Sequence, residues 1–212
     1  PRPLGSSGNN WRRVRERARP GFHRLSKRFF ARRTLRAARD LIGKVLVHEH
    51  RGGTTAGIIV ETEGYTGRGD PGSHAHRGPR TRNLPMFGPA GRAYVYRCHL
   101  YPLLNVVTEP DGVPGAVLLR AVEPVAGLPL MRRRSGDRPV TDLARGPGRL
   151  ARAFGVTLEH NRADLLRGRL YLARGARRPL RVARATRVGL RGPAARLPWR
   201  FYAAGNPFVS HV

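Results

Sequence analysis

Short apolar runs that alternate with polar residues, separated by turns rich in glycine and proline, fill the middle of the chain and limit the folds open to it. Alternation of this kind is typical of strands in a half-buried sheet. It occurs in LIGKVLVHEH (41–50), TAGIIVETEGY (55–65), RAYVYRCHL (92–100), LLNVVTEP (103–110) and GAVLLRAVEP (115–124). The last two runs are joined across PDGVPG, whose turn residues favour a hairpin between antiparallel neighbours.

Helical spacing of the apolar residues is limited to three stretches, which are residues 29–41, 125–135 and 149–156. Three shorter strand-like pieces close the chain, at residues 169–174, 179–190 and 199–205. The sequence contains no internal repeat. It therefore predicts a single α/β (α+β) domain with a curved, mostly antiparallel β-sheet and flanking helices.

The chain has 212 residues, a length that suits one domain with one sizeable core better than two domains. Residues 1–22 hold Pro, Gly, Ser and Arg with little periodicity, so we expect a disordered basic tail there and one folded domain over residues 23–212. The single cysteine, Cys98, excludes an intrachain disulfide and a cysteine-based zinc cluster.

The charge balance is strongly basic, with 41 Lys and Arg residues against 13 Asp and Glu residues and a formal net charge of +28. A field that positive attracts polyanions, above all nucleic acid. A membrane surface is the weaker alternative, because no apolar run approaches the roughly 20 residues of a spanning helix. The first residues also carry charge without the apolar core of an export signal, so we expect an intracellular, cytoplasmic protein.

Acidic residues are scarce, yet Glu61, Glu63 and Asp70 cluster at the end of a predicted strand, and His74 follows closely. Residues two apart on a strand point to the same face, so the two glutamates are expected to share one. The apolar residues before them should be buried, and a strand that leaves a core delivers its last side chains to a cleft. Residues 66–91 then form a long Gly/Pro/Arg loop, and loops of that length are usually functional or disordered.

Three chemistries could use this cluster, beside the simpler alternative that both glutamates are solvated edge charges or partners of nearby arginines. A metal site would combine His74 and His76 with Asp70 or a glutamate, although an H-x-H pair in an arginine-rich loop is a weak metal signal. A two-carboxylate mechanism needs carboxylates placed across a sugar, which neighbouring positions on one strand disfavour. In the third, one glutamate activates a water that attacks a sugar carbon, while Tyr65, His74 and Tyr96 hold a displaced base.

Motifs along most of the chain resemble those of one protein family. They are VETEGY…H at 60–74, RTRN at 80–83, MF at 86–87, YVY at 94–96, NVVT at 105–108, GAVLLRAVEP at 115–124, GPGRLARAFG at 146–155 and RVG…RFYAAGNPFVS at 187–210. In this order they resemble the alkyladenine (3-methyladenine) DNA glycosylase family. The resemblance implies a monofunctional DNA-repair enzyme without AP lyase activity, which flips alkylated or deaminated purines out of duplex DNA, hydrolyses the N-glycosidic bond and leaves an abasic site.

The same resemblance implies roles for individual residues. Glu63 matches the catalytic base, aided by Arg120 and by the backbone carbonyl of Val188. Four residues match the base-binding pocket of the family: Tyr65, His74, Tyr96 and Asn105. The asparagine is the position that helps to exclude the 2-amino group of normal guanine. The substrates implied are the class of 3-methyladenine, 7-methylguanine, hypoxanthine and ethenoadenine.

The family also carries an aromatic wedge on a hairpin that inserts into the minor groove of DNA. In this chain the segment between Tyr96 and Asn105 is one residue shorter than the family pattern. Apolar or aromatic groups fill the space of a flipped nucleotide with least desolvation cost. His99 falls at the wedge position, and Leu100 and Tyr101 beside it are the other candidates. The simpler alternative is that all three are ordinary residues of a hairpin tip.

Basic residues are expected to bind the DNA backbone, and those in the long loop are the strongest candidates: Arg77, Arg80 and Arg82. Only Lys27 and Lys44 are lysines, and neither matches a family motif. A glycosylase with lyase activity needs an amine nucleophile, so this scarcity favours attack by water.

The expected partner is double-stranded DNA that contains damaged purines, with no membrane partner, no cofactor, no metal and a monomeric state. Two other classes remain open from the residues alone. A noncatalytic basic binder, such as a ribosomal or architectural protein, would bind with a steep salt dependence and no preference for damage. A metal-dependent nuclease would cut the phosphodiester and not the base.

Overall fold

The computed structural model describes residues 22–175 and 180–210, in which eight strands build a curved sheet. The strands are β1 (Val45–His50), β2 (Gly53–Tyr65), β3 (Ala93–Cys98), β4 (Tyr101–Val107), β5 (Ala116–Ala126), β6 (Leu170–Ala173), β7 (Val182–Ala185) and β8 (Arg200–Ala203). The basic tail predicted for residues 1–22 lies outside the described residues, apart from Phe22, which packs against a small apolar cluster of the sheet.

The sheet has the strand order β3-β4-β5-β2-β1-β6, and every pair among the described strands is antiparallel. Strand β2 is the longest, and β5 pairs with it along most of its length. On its other side β1 pairs with the first half of β2, and β8 pairs with residues 61–63. The end of β2 is therefore enclosed between two strands. The predicted fold class is confirmed.

Four helices flank the sheet in the described part of the chain: α1 (Lys27–Phe30), α2 (Thr34–Leu41), α3 (Leu128–Ser135) and α4 (Pro147–Phe154). The prediction of one helix over residues 29–41 is wrong, because the chain breaks between α1 and α2. At the break, the backbone N–H of Arg32 donates to the carbonyl of Phe30, and its side-chain Nε donates to the carbonyl of Phe29. These bonds replace the helical pattern.

The strand expected over residues 179–190 is also shorter than predicted. Strand β7 ends at Ala185, and the chain then leaves the sheet, so Arg187 and Val188 lie in a loop. Residues 66–91 form the predicted long loop, which contains one short 3-10 helix at Leu84–Phe87. No helix in the described ranges is long and apolar enough to cross a membrane.

Helix α2 packs closely on one face of β2 at the end that carries the glutamates. The hydroxyl of Thr62 donates to the carbonyl of Ala38 at 2.8 Å. A Cβ atom on Gly64 would lie 2.7 Å from Cδ2 of Leu35, so a larger residue at this position would require the side chain of Leu35 to shift. Because side chains alternate along a strand, the neighbours of these two residues project from the opposite face.

A buried histidine connects β1 to the end of α4. Nδ1 of His48 donates to the carbonyl of Phe154 at 2.8 Å, and its Nε2 lies 3.3 Å from Nε2 of His160. Burial is the largest cause that lowers the pKa of His48 from 6.5 to about 4; the bond to Phe154 opposes it, and the charges of His50, His160 and Arg134 add to the lowering. The imidazole is therefore neutral in the folded protein at pH 7.

We predict a loss of stability on mild acidification that originates at His48. Because its pKa is depressed in the folded state, its contribution to stability is complete above pH 6.5 and is lost as the pH falls towards 4. The full shift corresponds to about 3 kcal/mol. Urea unfolding of the wild type and of His48→Gln between these pH values measures the effect. The wild type should lose more unfolding free energy than the variant, and equal losses would contradict the prediction.

Candidate active site

Strand β2 ends in two buried carboxylates that share one arginine. Glu61 and Glu63 are fully buried, and Arg120 on β5 is 5% exposed. Nε of Arg120 lies 3.1 Å from Oε1 of Glu61, and its Nη1 lies 3.3 Å from Oε1 of Glu63. The prediction that the glutamates share a face is confirmed. The simpler alternative is solvated edge charges or partners of nearby arginines: neither glutamate is exposed to solvent, but both do lie beside an arginine.

Both oxygens of Glu63 are hydrogen-bonded. The backbone N–H of Val188 donates to Oε1 at 2.7 Å, and the hydroxyl of Tyr65 donates to Oε2 at 2.8 Å. The family resemblance implied that the backbone carbonyl of Val188 aids Glu63; the bond observed is donated by its backbone amide, and the part of the carbonyl stays a prediction. These donors and Arg120 hold the carboxylate of Glu63 in one orientation.

The carboxylate of Glu61 is surrounded by hydrogen-bond donors. Arg120 and Arg200 both donate to Oε1, the latter at 3.0 Å, and the backbone N–H of Ser210 donates to Oε2 at 2.7 Å. Burial by itself would raise the pKa of Glu61, but the charge of Arg120 and the bonds from Ser210 and Arg200 outweigh it and lower the pKa below its usual value. Glu61 is therefore ionised.

One small cavity next to Glu63 is lined by the side chains that we expected to hold a base. Its walls are Tyr65, Gly72, His74, Met86, Tyr94, Tyr96, Asn105 and Ala116. The rings of His74 and Tyr96 meet edge to face, with centroids 4.6 Å apart. The cavity has a volume of about 20 Å³. This is room for about one water molecule, so a purine can enter only if the walls move apart.

The pocket walls are uncharged at pH 7. Burial lowers the pKa of His74, and the nearby charge of Arg82 lowers it further. Nδ1 of His74 is hydrogen-bonded to the hydroxyl of Tyr94 at 2.8 Å. Burial raises the pKa of Tyr94 to about 12, and burial together with the charge of Glu63 raises the pKa of Tyr65. The phenols keep their protons and offer neutral rings for stacking.

A buried ion pair joins the long loop to the segment after β7. Nη1 and Nη2 of Arg187 donate to the two oxygens of Asp70 at 2.8 and 2.6 Å, and both side chains are fully buried. Asp70 also accepts bonds from the amides of Thr66 and Gly72, and Arg187 donates to the carbonyl of Gly64. The pair therefore connects the end of β2 to both loops.

Arg187 also packs against Tyr65, one of the walls of the base pocket. The guanidinium of Arg187 lies over the ring of Tyr65, 4.6 Å from its centroid, and 5.0 Å from the centroid of Trp199. A cation over an aromatic face is attracted by the ring. Its neighbour Val188 bonds Glu63, so one short segment holds a pocket wall and the carboxylate together. Neither Arg187 nor its pairing was predicted from the sequence.

The long loop is ordered by polar contacts. The side chain of Asn83 accepts a bond from the amide of Arg80 and donates to the carbonyls of His74 and Gly78. The loop arginines expected to contact DNA all lie exposed: Arg77, Arg80 and Arg82.

The structure does not bring His74, His76 and Asp70 together as metal ligands, because Asp70 is paired with Arg187. No group of three or more His, Cys, Asp or Glu side chains in residues 22–175 and 180–210 is arranged to hold a metal ion.

The wedge candidates lie at the tip of the hairpin between β3 and β4. Cys98 pairs with Tyr101, so His99 and Leu100 form a two-residue turn in which His99 has a φ of 51°. Leu100 is 85% exposed. Tyr101 is 40% exposed and lies beneath the guanidinium of Arg152, 5.1 Å from its ring centroid. Of the three, Leu100 is the apolar side chain that projects from the tip.

A larger cleft of about 720 Å³ lies between the hairpin, the glutamate cluster and α4. Its lining includes Tyr101, Arg120 and Ser210, together with four arginines: Arg138, Arg145, Arg149 and Arg152. Asp142 lies 3.7 and 3.8 Å from two of these guanidiniums. The sequence analysis did not single out these arginines, although GPGRLARAFG, which contains two of them, carried part of the family resemblance.

Comparison with known proteins agrees with the motifs. The family model described as methylpurine-DNA glycosylase matches residues 28–207. Three relatives carry the provisional name 3-methyladenine DNA glycosylase. The relative from Methanoculleus marisnigri is 47% identical over 191 residues, 88% of this chain and 98% of its own. That from Rubrobacter xylanophilus is 48% identical over 169 residues, 79% and 87% of the two chains. That from Clostridium acetobutylicum is 40% identical over 199 residues, 88% and 97%.

We predict that Asp70→Asn destabilises the fold strongly. The substitution leaves the guanidinium of Arg187 buried without its counter-charge, which costs about 3–5 kcal/mol in buried ion pairs. Urea unfolding at pH 7 measures the loss. Asp111→Asn is the matched control, because Asp111 is exposed in a turn and the same change of charge there should leave stability nearly unchanged. Similar stabilities of the two variants would contradict the prediction.

Proposed function

The chain belongs to the methylpurine-DNA glycosylase family, and from this premise we propose that it flips 3-methyladenine, 7-methylguanine, hypoxanthine and ethenoadenine out of duplex DNA and excises them. As a member of the family it is a DNA-repair glycosylase for alkylated purines, a hydrolase that acts on the N-glycosidic bond of DNA. The observation that carries the finer proposal is the bond between fully buried Glu63 and Tyr65, a wall of the aromatic pocket.

In the proposed reaction Glu63 activates a water molecule. The water oxygen forms a bond to C1′ of the sugar, the bond between C1′ and the purine nitrogen breaks, and its electron pair leaves with the base. The proton of the water passes to Glu63, and an abasic site remains. A base made cationic by alkylation leaves as a neutral purine, whereas hypoxanthine or ethenoadenine leaves as an anion that takes up one proton from solvent. The sugar carbon becomes more positive as the base departs, and a carboxylate held by Val188 and Arg120 stabilises that charge.

The pocket supplies selectivity in this proposal. Tyr65, His74 and Tyr96 stack on the flipped purine, and their π faces favour a base made cationic by alkylation. Asn105 cannot swing aside, because its amide nitrogen donates to the carbonyls of Tyr94 and Leu103. The side chain therefore stays where it would oppose the 2-amino group of normal guanine. Damaged bases also cost less to unstack, which adds to the discrimination.

The arginines of the cleft, together with Arg77, Arg80 and Arg82, are proposed to bind DNA phosphates, while Leu100 fills the space of the flipped nucleotide. The cleft and the hairpin share Tyr101, so a bound strand would pass the wedge on its way to Glu63. A single copy of the chain presents all these groups, and we propose that it acts as a monomer on double-stranded DNA.

Water is the proposed nucleophile, and no lyase activity is expected. The residues that line the pocket and the cleft include neither Lys27 nor Lys44. With no amine among the described residues that line the site, we do not expect the Schiff base from which a lyase reaction proceeds.

We predict that Glu63→Gln binds damaged DNA but excises roughly 10²- to 10⁴-fold more slowly, which is the usual contribution of a general base. Base release from duplexes that carry hypoxanthine or a methylated purine measures excision, and fluorescence anisotropy measures binding. Excision at the wild-type rate by this variant would contradict the mechanism. Borohydride trapping of the wild type is the control for the nucleophile, since a covalent adduct would show attack by an amine.

We predict that Leu100→Ala lowers kcat/KM on duplex DNA and not on single-stranded DNA, where no partner strand has to be separated. Loss of the apolar side chain removes about 1–2 kcal/mol of burial, which corresponds to a roughly 5- to 30-fold decrease. His99→Ala at the neighbouring turn position is the matched control and should have a smaller effect. A larger effect of His99→Ala would instead identify the histidine as the wedge.

A further inference from the structure

One wall of the base pocket has a buried cation on its outer side, and the proposed reaction gives that cation no part. The guanidinium of Arg187 lies over the ring of Tyr65, with its central carbon 4.6 Å from the ring centroid. The side chain of Arg187 is fully buried and is not among the residues that line the pocket. An aromatic ring has two faces, and the guanidinium covers one, so a flipped base can stack only on the other.

The position of this guanidinium is fixed by its contacts. Nη1 of Arg187 donates to the carbonyl of Gly64 at 3.0 Å and to Asp70 at 2.8 Å, and Nη2 donates to Asp70 at 2.6 Å. The ring of Trp199 packs against the same group, with its centroid 5.0 Å away. The cation is therefore held against Tyr65 whether or not a base is bound.

Asp70 balances the charge of Arg187, but the positive end of the pair is the one that lies over the ring. The carboxylate binds the Nη edge of the guanidinium and accepts bonds from the amides of Thr66 and Gly72. The charge of Arg187 also reaches the phenol. Burial is the largest cause that raises the pKa of Tyr65, the charge of Glu63 raises it further, and the charge of Arg187 acts in the opposite direction.

A cation on one face of an aromatic ring changes the opposite face. The guanidinium draws π electrons towards itself, so the free face of Tyr65 offers a weaker negative potential to a second cation. Stacking of a neutral purine depends mainly on dispersion and apolar contact, which the guanidinium leaves intact. Because charges in a protein interior are screened much less than charges in water, the effect is not removed by salt.

Tyr96, the second stacking wall of the pocket, packs against uncharged rings. Its centroid lies 4.6 Å from that of His74 and 5.3 Å from that of Tyr94. Burial lowers the pKa of His74 and raises the pKa of Tyr94 to about 12, so both rings are neutral at pH 7. The ring of Tyr96 therefore keeps the attraction of an ordinary aromatic face for a cation.

We propose that Arg187 is a specificity-determining residue, which makes Tyr65 favour neutral damaged purines such as hypoxanthine over purines made cationic by alkylation. This inference rests on the proposed function. Tyr96 supplies the attraction for the cationic class, so the pocket accepts both classes through two different walls. The division suits one site whose proposed substrates include cationic 3-methyladenine and 7-methylguanine as well as neutral hypoxanthine and ethenoadenine.

The first test removes the cation without leaving a buried charge behind. Single-turnover release of 7-methylguanine and of hypoxanthine from duplex DNA is measured for the wild type and for Arg187→Gln/Asp70→Asn, in which two amides replace the ion pair. We expect the ratio of the 7-methylguanine rate to the hypoxanthine rate to rise roughly 2- to 10-fold in the double variant. A purely structural role would lower both rates by the same factor and leave the ratio unchanged.

Arg184→Gln is the matched control for this comparison. Arg184 also lies over an aromatic ring, that of Phe201, with its guanidinium 5.5 Å from the centroid, but it is exposed and does not line the pocket. The same substitution there should leave the ratio of the two rates at its wild-type value.

The second test removes each wall in turn and keeps the ion pair. Tyr65→Leu takes away the ring that Arg187 covers, so we expect it to slow the release of hypoxanthine more than that of 7-methylguanine. Tyr96→Leu takes away the other ring and should slow the release of 7-methylguanine more. An ordinary tyrosine at both positions would give the same order in both variants.

The outcomes separate the inference from the proposed function. If the wild type releases neither purine, the proposed function fails and the inference falls with it. If the wild type releases them and the ratio in the double variant is unchanged or falls, the inference alone is overturned. If the double variant does not fold, the wall variants decide, and an equal or greater loss of 7-methylguanine release in Tyr65→Leu would overturn the inference.

Discussion

The burial of two carboxylates around one guanidinium is the constraint on which the rest of the structure depends. An ionised carboxylate cannot lie in a protein interior without a paired charge and hydrogen bonds. Glu61 and Glu63 obtain them from Arg120 on β5 and Arg200 on β8, the two strands that enclose the end of β2. The sheet topology and the site are therefore one arrangement, because each of these two strands supplies a guanidinium to the carboxylates at the end of β2.

The long loop shows the same principle at a second place. Residues 66–91 contain few large apolar side chains, so hydrophobic packing alone cannot order them. Asp70 and Asn83 replace it with hydrogen bonds to loop backbone, and Arg187 joins Asp70 to the segment that bonds Glu63. The pocket walls supplied by the loop are thereby held against the strand end by buried polar contacts.

Charge is distributed unequally between the surface and the site. The chain has a formal net charge of +28, and arginines line the cleft beside the hairpin, whereas the pocket walls are neutral and the buried carboxylates of Glu61 and Glu63 lie beside Arg120. A positive surface attracts the DNA from a distance. A neutral pocket suits a reaction in which the departing base leaves positive charge on the sugar, since an uncompensated cation there would oppose it.

The sequence by itself determined the antiparallel sheet, the shared face of Glu61 and Glu63, and the family to which the chain belongs, because alternation along a strand and ordered motifs are local properties. It did not reveal the break between α1 and α2, which arises from bonds made by Arg32. Nor did it reveal the amide contact of Val188 with Glu63 or the pairing of Asp70 with Arg187. Those depend on residues far apart in the chain that only the packed tertiary structure brings together, and no periodicity records which distant charge a buried carboxylate will meet.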